Sequence, residues 1–373
     1  MNRILIFYGS CSEFQTYLPL KGRNLTDLVM EMDSDNKKTF LYVKGLPDSN
    51  DDEVEESKIK VENFIINSDE YCGVREHVII NFANFIARIE IDNMYIQNPP
   101  LHLSEQLYRA YGDKKIIEEV RQEYNGLTED ILKLIYNDYD KRIIGQEKVK
   151  NHLLKTIYPV LNNKQKKPVV LMFYGSSGVG KTETAQYLSE VLAGKLFRKQ
   201  FSMYQNNQFA TFLFGGSYNE KSFAKDLLDR ESNVILLDEF DKANQTFHSA
   251  FYQLFDEGIF EDQNYRVHLD SAIIICTSNY ISEEEIKKNL GDAIFNRFDA
   301  IIHFENLSNE AKKEIADVYI NEVSSDYDAR GIKLSEDVLE RLRKGTLYCN
   351  NARDVKRLIK DAYSLMAIRK ICN

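Results

Sequence analysis

The stretch with the clearest chemical pattern lies near the middle of the chain and combines three glycines with a lysine and a threonine. It reads Gly175-Ser176-Ser177-Gly178-Val179-Gly180-Lys181-Thr182 and fits the pattern G-x-x-x-x-G-K-[ST] at every fixed position. The glycines allow the backbone to curl so that successive N–H groups face a phosphate. Lys181 would reach the β- and γ-phosphates, and the Thr182 hydroxyl would bind Mg²⁺. We therefore predict that these eight residues bind a nucleoside triphosphate.

Two acidic residues and an amide follow apolar runs further along the chain. Asp238 and Glu239 come directly after the apolar run 234–237, and Asn279 closes a Thr-Ser-Asn sequence after the run 272–276. Asp238 would hold Mg²⁺ through its water shell, while Glu239 would polarise the water that attacks the γ-phosphate. Asn279 would orient that water or sense the γ-phosphate, the alternative being an ordinary turn after a strand.

The elements that must position these residues are short buried strands, each followed by a loop or helix. The apolar run 169–174 predicts a strand before the glycine-rich loop, and residues 182–193 predict a helix that Gly194 closes. The segment between Gly194 and the acidic pair is long enough for one further helix and one further strand. This order predicts the α/β class, with the chemically active residues at the ends of strands.

Composition restricts the class of protein. The 373 residues are 43% hydrophobic and 28% charged, which is typical of globular proteins. The net charge of −10 argues against a protein that binds nucleic acid through bulk electrostatics. The five scattered cysteines lack C-x-x-C spacing, which favours reduced thiols. No run approaches the ~20 apolar residues that span a bilayer. We expect a cytoplasmic protein without a membrane partner.

The N-terminal part of the chain shows no chemical motif. We predict a small α+β domain of unknown role over residues 1–100, with strands at 3–8, 39–43 and 58–66. Asn98-Pro99-Pro100 marks a boundary. The apolar spacing that follows predicts a helical linker over residues 101–140.

Residues 138–373 resemble the AAA+ ATPases of the Clp type, in particular the second ATPase module of ClpA-like and ClpB-like proteins. The resemblance rests on motifs that stand in the family's order: Arg142 to Gln146, the loop 175–182, Asp238 to Ala243, Leu254 to Gly258, Thr277 to Asn279, Phe295 to Asp299, and Ala352-Arg353.

The resemblance implies a parallel five-stranded sheet between helices (residues 141–306) and a C-terminal helical lid (residues 307–373). It also implies ATP and Mg²⁺ as cofactors, with Ile144 in the adenine pocket. Arg353 would be the sensor 2 arginine, and the catalytic set would be Glu239, Asn279, Arg297 and Arg353. Arg297 would be an arginine finger that serves the neighbouring subunit, which implies a homo-oligomeric ring, expected to be a hexamer.

The chain also departs from the family pattern. Protease-associated members carry a docking loop that is not found between Asn279 and Arg297, so we do not expect a ClpP-type peptidase as a partner. The family's pore-loop aromatic, which grips a threaded polypeptide, falls on Phe214 of the sequence Phe214-Gly215-Gly216. Packing of Phe212 and Phe214 in the core is the alternative.

The resulting functional hypothesis is ATP hydrolysis coupled to remodelling or unfolding of a protein client by a ring oligomer. Two alternatives remain open at this stage. One is a nucleic-acid loader or motor built on the same module, which the acidic balance disfavours. The other is an ATP-gated assembly scaffold that recruits an effector without translocating a client.

Overall fold

The computed structural model describes residues 1–42, 58–163, 166–203, 208–218, 220–243, 245–328 and 331–372. The chain divides into two compact units. The N-terminal unit contains residues 1–124, 206–231 and 259–268, and the C-terminal unit contains residues 125–205, 232–258 and 269–373.

The strands are β1 (Arg3–Tyr8), β2 (Arg23–Asn24), β3 (Ile59–Ile66), β4 (Ile89–Gln97), β5 (Ile117–Arg121), β6 (Val169–Tyr174), β7 (Phe197–Gln200), β8 (Val234–Asp238), β9 (Ile259–Glu261), β10 (Arg266–His268), β11 (Ile273–Thr277) and β12 (Ala300–His303). The helices are α1 (Cys11–Phe14), α2 (Leu25–Tyr42), α3 (Glu76–Ile80), α4 (Phe82–Ala87), α5 (Leu101–Tyr111), α6 (Glu129–Arg142), α7 (Glu147–Ile157), α8 (Lys181–Val191), α9 (Gln208–Phe214), α10 (Phe223–Leu228), α11 (Tyr252–Glu257), α12 (Glu283–Leu290), α13 (Asp292–Phe295), α14 (Asn309–Asp328), α15 (Glu336–Gly345) and α16 (Ala352–Cys372).

The N-terminal unit is built on a five-stranded sheet in the order β2-β3-β4-β1-β5. All four strand pairings in this sheet are parallel. Parallel neighbours need crossover connections, and helices supply them here. The prediction of an α+β domain is therefore wrong for this unit, which has the alternating α/β arrangement. Its core is a cluster of buried aliphatic and aromatic side chains that includes Ile4, Phe64 and Ile96.

Two further predictions for this region are corrected. Residues 39–42, which we predicted as part of a strand, end α2, because that helix runs on from residue 25 without a glycine or proline to stop it; Val43 lies outside the described residues. The predicted linker 101–140 is not helical throughout. It contains β5, whose residues pair with β1, so the N-terminal unit continues to Tyr124, beyond the predicted boundary at residue 100.

The sheet of the C-terminal unit has the order β12-β6-β11-β8-β7, and all its pairings are parallel. Strands β6, β8 and β11 are buried along their whole length. Continuous apolar runs are what a parallel sheet covered on both faces requires. The predicted α/β class and the strands predicted from residues 169, 234 and 272 onward are confirmed.

The last three helices form a second hydrophobic cluster within the C-terminal unit. Side chains of α14 and α16, including Ile315, Ile320 and Ile359, pack together with Leu307 and Ile144. A helical lid was predicted here, and α14 to α16 are the observed helices. None of the helices in the described part of the chain combines the length and hydrophobicity that crossing a membrane requires.

Candidate nucleotide-binding site

The glycine-rich loop leaves the buried strand β6 and enters helix α8. Gly175 has φ 132°, and a Cβ atom at this position would lie 2.3 Å from the carbonyl oxygen of Phe304. Gly180, which caps α8, has φ 112°. Residues with a side chain rarely adopt these angles. The glycines of the pattern therefore allow the chain to turn sharply against β12 and to direct the N-terminus of α8 at the loop.

Lys181, the first residue of α8, bends back over the loop. Its Nζ donates hydrogen bonds to the carbonyl oxygens of Gly175 (2.5 Å) and Ser176 (2.8 Å) and to Oδ1 of Asn279 (3.2 Å). Burial lowers the pKa of Lys181 to about 8, although the nearby carboxylate of Asp238 acts in the opposite direction. A phosphate group beside Nζ would favour the charged form and raise this pKa again.

Asp238 ends strand β8, and both of its carboxylate oxygens have partners. Oδ1 accepts a hydrogen bond from the Thr277 hydroxyl at 2.5 Å. Oδ2 accepts two from the Arg198 guanidinium, at 3.0 Å from Nε and 2.5 Å from Nη2. The carboxylate is 9% exposed, whereas the Arg198 side chain is 44% exposed. The acid is thus fixed in the sheet and the arginine covers it from the solvent side.

Glu239 follows in the left-handed conformation, with φ 54°. This conformation is unfavourable for a residue with a side chain and is maintained by the surroundings. The Glu239 N–H donates to the Thr277 hydroxyl oxygen at 2.9 Å. Its Oε2 accepts a hydrogen bond from Nε2 of Gln200 at 3.2 Å. The Thr277 hydroxyl therefore contacts both acidic residues, since it donates to Asp238 and accepts from Glu239.

The C-terminal helix α16 reaches the same loop. The Arg353 Nη1 donates to the Ser177 hydroxyl at 3.1 Å. The Ala352 N–H donates to the carbonyl oxygen of Gly178 at 3.1 Å. A guanidinium beside the loop can contact an anionic ligand bound there, and it would connect that ligand to the helices that follow β12.

These groups surround a cavity of about 750 Å³ in the C-terminal unit. The predicted site residues in its lining are Ile144, Ser177, Gly178, Val179, Gly180, Lys181, Thr182, Asp238, Glu239, Asn279 and Arg353. Gly175 and Ser176 do not line the cavity, and their carbonyl oxygens accept hydrogen bonds from Lys181. The lining combines polar and cationic groups with apolar side chains that include Ile143, Ile144, Leu307 and Ile315. The triphosphate of a nucleotide needs polar, cationic surroundings, and its base needs apolar ones.

Gln146 holds together three segments next to the cavity. This side chain is 3% exposed, and its amide donates to the carbonyl oxygens of Val179 (3.2 Å) and Glu305 (2.9 Å). Its Oε1 accepts from the Glu305 N–H at 3.2 Å. Because these hydrogen bonds are buried, they hold the backbone groups that Gln146 contacts in fixed positions. Gln146 therefore ties the segment carrying Ile144 to the loop and to the chain after β12.

The residues present suit Mg²⁺ only together with a nucleotide. Among the described residues, no group of three or more His, Cys, Asp or Glu side chains could hold a metal ion alone. The Thr182 hydroxyl and the Asp238 carboxylate offer oxygen ligands in the same cavity. Mg²⁺ is usually bound by one or two carboxylates, water and substrate phosphates. The donor set fits that mode, in which the ion neutralises phosphate charge.

Comparison with known proteins agrees with this geometry. Residues 166–325 match the family described as "AAA domain (Cdc48 subfamily)". The chaperone ClpB of Chlamydia pneumoniae is 27% identical over 304 residues, which cover 68% of this chain and 35% of that protein. Residues 166–325 thus resemble this family's AAA domain, and the chain is similar to Clp-type AAA+ proteins.

Other relatives show the same similarity. The ATP-binding subunit ClpL of Staphylococcus aureus (strain USA300) is 28% identical, over 71% of this chain and 44% of that protein. A closed-state cryo-EM reconstruction of Hsp104 with ATPγS and FITC-casein has the same fold, with a TM-score of 0.57 at 20% identity. It covers 83% of this chain and 61% of that one. The chain thus spans about a third of the ClpB proteins it matches.

Arg297 does not line this cavity. Its Nε donates to Oδ2 of Asp256 at 2.9 Å, and its Nη1 donates to the carbonyl oxygen of Ala293 at 2.6 Å. The guanidinium carbon lies 4.2 Å from the centre of the Tyr252 ring. Contacts with α11 and α13 thus hold the Arg297 side chain away from the other predicted catalytic residues.

The predicted pore-loop residue belongs to the N-terminal unit. Phe214 ends α9 and is 46% exposed, and its carbonyl oxygen accepts a hydrogen bond from the Gln263 N–H at 3.0 Å. Phe212 is 6% exposed and packs edge-on against Phe223, with 5.9 Å between ring centres. Core packing therefore describes Phe212, whereas Phe214 presents its ring partly to solvent.

Arg198, Gln200 and Thr277 contact the two acidic residues of the site and were not predicted from the sequence as site residues. Arg198 and Gln200 lie two positions apart on β7 and so share one face of the strand. Strand β7 pairs with β8, with Gln200 opposite Asp238. The alternation of Arg198 and Gln200 along a short strand was the available signal. The sequence pattern did not predict that this strand pairs with β8.

Proposed function

We propose that this protein hydrolyses ATP with Mg²⁺ and couples the reaction to the remodelling of a protein client in a homo-oligomeric ring. The observation that carries the proposal is the convergence of Lys181, Asp238, Glu239, Asn279 and Arg353 on one cavity. All five cysteines are free thiols, which supports the predicted cytoplasmic location.

Each residue of the cavity has a separate task in this proposal. Lys181 would exchange its bonds to the loop carbonyls for bonds to the phosphates. Glu239 would accept a hydrogen bond from the attacking water in place of the one from Gln200, and Asn279 would orient the same water. Arg353 would stabilise the charge that develops on the γ-phosphoryl oxygens. Bound Mg²⁺ would supply charge neutralisation next to Thr182 and Asp238.

The direct test separates binding from hydrolysis. Glu239→Gln keeps the shape of the side chain and removes its charge, so we expect near-normal binding of a fluorescent ATP analogue and phosphate release slower by about two to four orders of magnitude. Lys181→Ala should weaken binding itself. Near-normal phosphate release by Glu239→Gln would show that another residue polarises the water.

The ring rests on the position of Arg297 outside its own cavity. If this residue serves a neighbouring subunit, activity per chain should rise with protein concentration as rings assemble. A mixture of inactive Arg297→Ala and inactive Glu239→Gln chains should regain turnover, because some interfaces pair an intact arginine with an intact acid. Full activity of a strictly monomeric chain in ATP would contradict the ring.

One observation favours the ATP-gated scaffold as a second candidate. The segment around Phe214 is tied down, since the Asn264 side-chain amide also donates to the carbonyl oxygen of Gly216 at 2.7 Å. Phe214→Ala decides between the two. A remodelling machine should lose unfolding of a client while hydrolysis stays within a few-fold of wild type. A scaffold should keep both ATP turnover and effector recruitment.

A further inference from the structure

The contact between Arg198 and Asp238 has a consequence for the metal. Both hydrogen bonds from the guanidinium go to Oδ2, and Thr277 occupies Oδ1. Asp238 lines the same cavity as Thr182, where a metal–nucleotide complex would bind. A cation that already neutralises this carboxylate competes with any second cation for the same oxygen.

The two partners differ in their freedom to move. The Asp238 side chain lies at the buried end of β8 and is 9% exposed. Arg198 is 44% exposed and also lines the cavity. Strand β7 lies at the edge of the sheet, after β8 in the strand order. The arginine can therefore leave the carboxylate for solvent or the cavity, whereas the carboxylate cannot leave the site.

From this geometry we infer that Arg198 is a positioning residue that holds Asp238 and yields it to Mg²⁺ when the metal–nucleotide complex binds. The inference rests on the proposed function, because it concerns the affinity of the same site for its metal. Arg198 then sets the metal concentration at which the site fills, and it does so without contacting the reacting atoms.

The sign of the effect distinguishes this role from two others. If Arg198 competes with the metal, neutralising it should tighten metal binding. If Arg198 only orients Asp238 for the metal, neutralising it should weaken metal binding. If Arg198 binds a phosphate, its loss should weaken binding of the nucleotide even when no divalent metal is present.

The test uses the full chain with a saturating non-hydrolysable ATP analogue and measures free Mn²⁺ by electron paramagnetic resonance. We expect Arg198→Gln to bind Mn²⁺ about tenfold more tightly than wild type, since one charge-assisted contact no longer has to be broken. Arg198→Lys keeps a cation without the planar fork and should be intermediate. Lys195→Gln, which neutralises an exposed lysine outside the cavity lining, should match wild type.

Thermal melting supplies a second readout that does not depend on turnover. Without ligands, Arg198→Gln should melt at a lower temperature than wild type, because Asp238 has lost its cation. Mn²⁺ with the analogue should then raise the melting temperature of this variant more than that of wild type. A smaller rise would contradict the inference.

The outcomes separate the inference from the proposed function. If the wild-type chain does not bind the analogue at all, the nucleotide site itself is refuted. If it binds the analogue but Arg198→Gln binds Mn²⁺ equally or more weakly, only the role of Arg198 is refuted. Weaker binding of the analogue by Arg198→Gln in the presence of EDTA would assign the arginine to the phosphates instead.

Discussion

Each of the two units of the chain contains a Gly-Ser turn after a parallel strand, but the cavity of the candidate nucleotide-binding site borders only the second turn. Strand β1 is followed by Gly9-Ser10 and strand β6 by Gly175-Ser176, and each strand lies inside a parallel five-stranded sheet. The first turn leads into the four-residue helix α1, whereas the second leads into the eleven-residue helix α8. A longer helix sums more aligned peptide dipoles, which place a partial positive charge at its start.

In the first turn, side chains of the protein accept the hydrogen bonds of the backbone N–H groups. The N–H groups of Gly9, Ser10 and Cys11 donate to side-chain oxygens of Asn98 (2.9 Å), Gln122 (2.6 Å) and Asp229 (2.8 Å), respectively. The second turn borders the cavity of about 750 Å³, and a lysine covers its carbonyl oxygens. The amides of the first turn are thus already paired with protein side chains, whereas the second turn borders a cavity and has a cation beside it, as a phosphate-binding turn requires.

The largest expected effect comes from a substitution that adds a side-chain atom inside the second turn. Gly175→Ala places a Cβ atom 2.3 Å from the Phe304 carbonyl oxygen at a φ of 132°. Strain of about 1–3 kcal/mol for such a backbone, together with this clash, should weaken ATP binding by about a hundredfold or more. Titration with a fluorescent ATP analogue measures the change.

The matched variant lies in the first turn. Gly9→Ala would bring a Cβ atom to 2.5 Å from Cβ of Gln122, so it should lower the melting temperature of the protein. It should leave the affinity for ATP unchanged as long as the chain is folded. Equal losses of ATP affinity in both variants would remove the distinction between the turns.

Lys181 gives a pH-dependent prediction that has no counterpart in the first turn. The pKa of this side chain is lowered from 10.5 to about 8, so about half of the free protein carries a neutral Lys181 at pH 8. ATP favours the charged form, so binding at pH 8 should take up about half a proton, and the affinity should fall as pH rises above 8. Calorimetry in buffers of different ionisation enthalpy measures the uptake.

The same measurement contains its control. At pH 6.5 Lys181 is protonated before and after binding, and its share of the proton uptake should vanish. The uptake at pH 8 should also disappear in Lys181→Met, at ATP concentrations high enough to saturate that variant. Uptake that persists in Lys181→Met would assign the proton to another group.

The smallest effect is expected from Asp229, which closes the first turn. Asp229→Ala removes the acceptor of the Cys11 N–H and should lower the free energy of unfolding by about 1 kcal/mol. Asp229→Asn keeps an acceptor oxygen and should lose less. Urea unfolding checks both variants, and ATP affinity should not change in either. A loss of ATP affinity in Asp229→Ala would link the first turn to nucleotide binding.

The sequence was most informative where a continuous apolar run ends in a chemically distinctive group. The strands before Gly175, Asp238 and Thr277 were predicted within one or two residues, because parallel strands covered on both faces are apolar throughout. The comparisons confirm the resemblance to Clp-type AAA+ proteins, and three of the motifs that carry it lie at the ends of these strands.

Other features depend on contacts between residues far apart in the sequence. Strand β5 has charged residues at three of its five positions and lies in the sheet only because β1 pairs with it. The partners of Asp238 come from positions 198 and 277, 40 and 39 residues away. Local spacing carries no information about such pairs, so Arg198 could not be assigned to the site beforehand, and Thr277 was noted only as part of the motif that ends in Asn279.

The central claim is that one of the two glycine-containing turns binds ATP. Equilibrium dialysis with radiolabelled ATP and Mg²⁺, followed by photo-crosslinking with an azido-ATP and peptide mapping, tests it most directly. The account predicts one ATP per chain and crosslinks to residues that line the cavity, such as Ile144 or Tyr319. Crosslinking to the segment around Gly9 and Ser10, or two equivalents of ATP per chain, would contradict it.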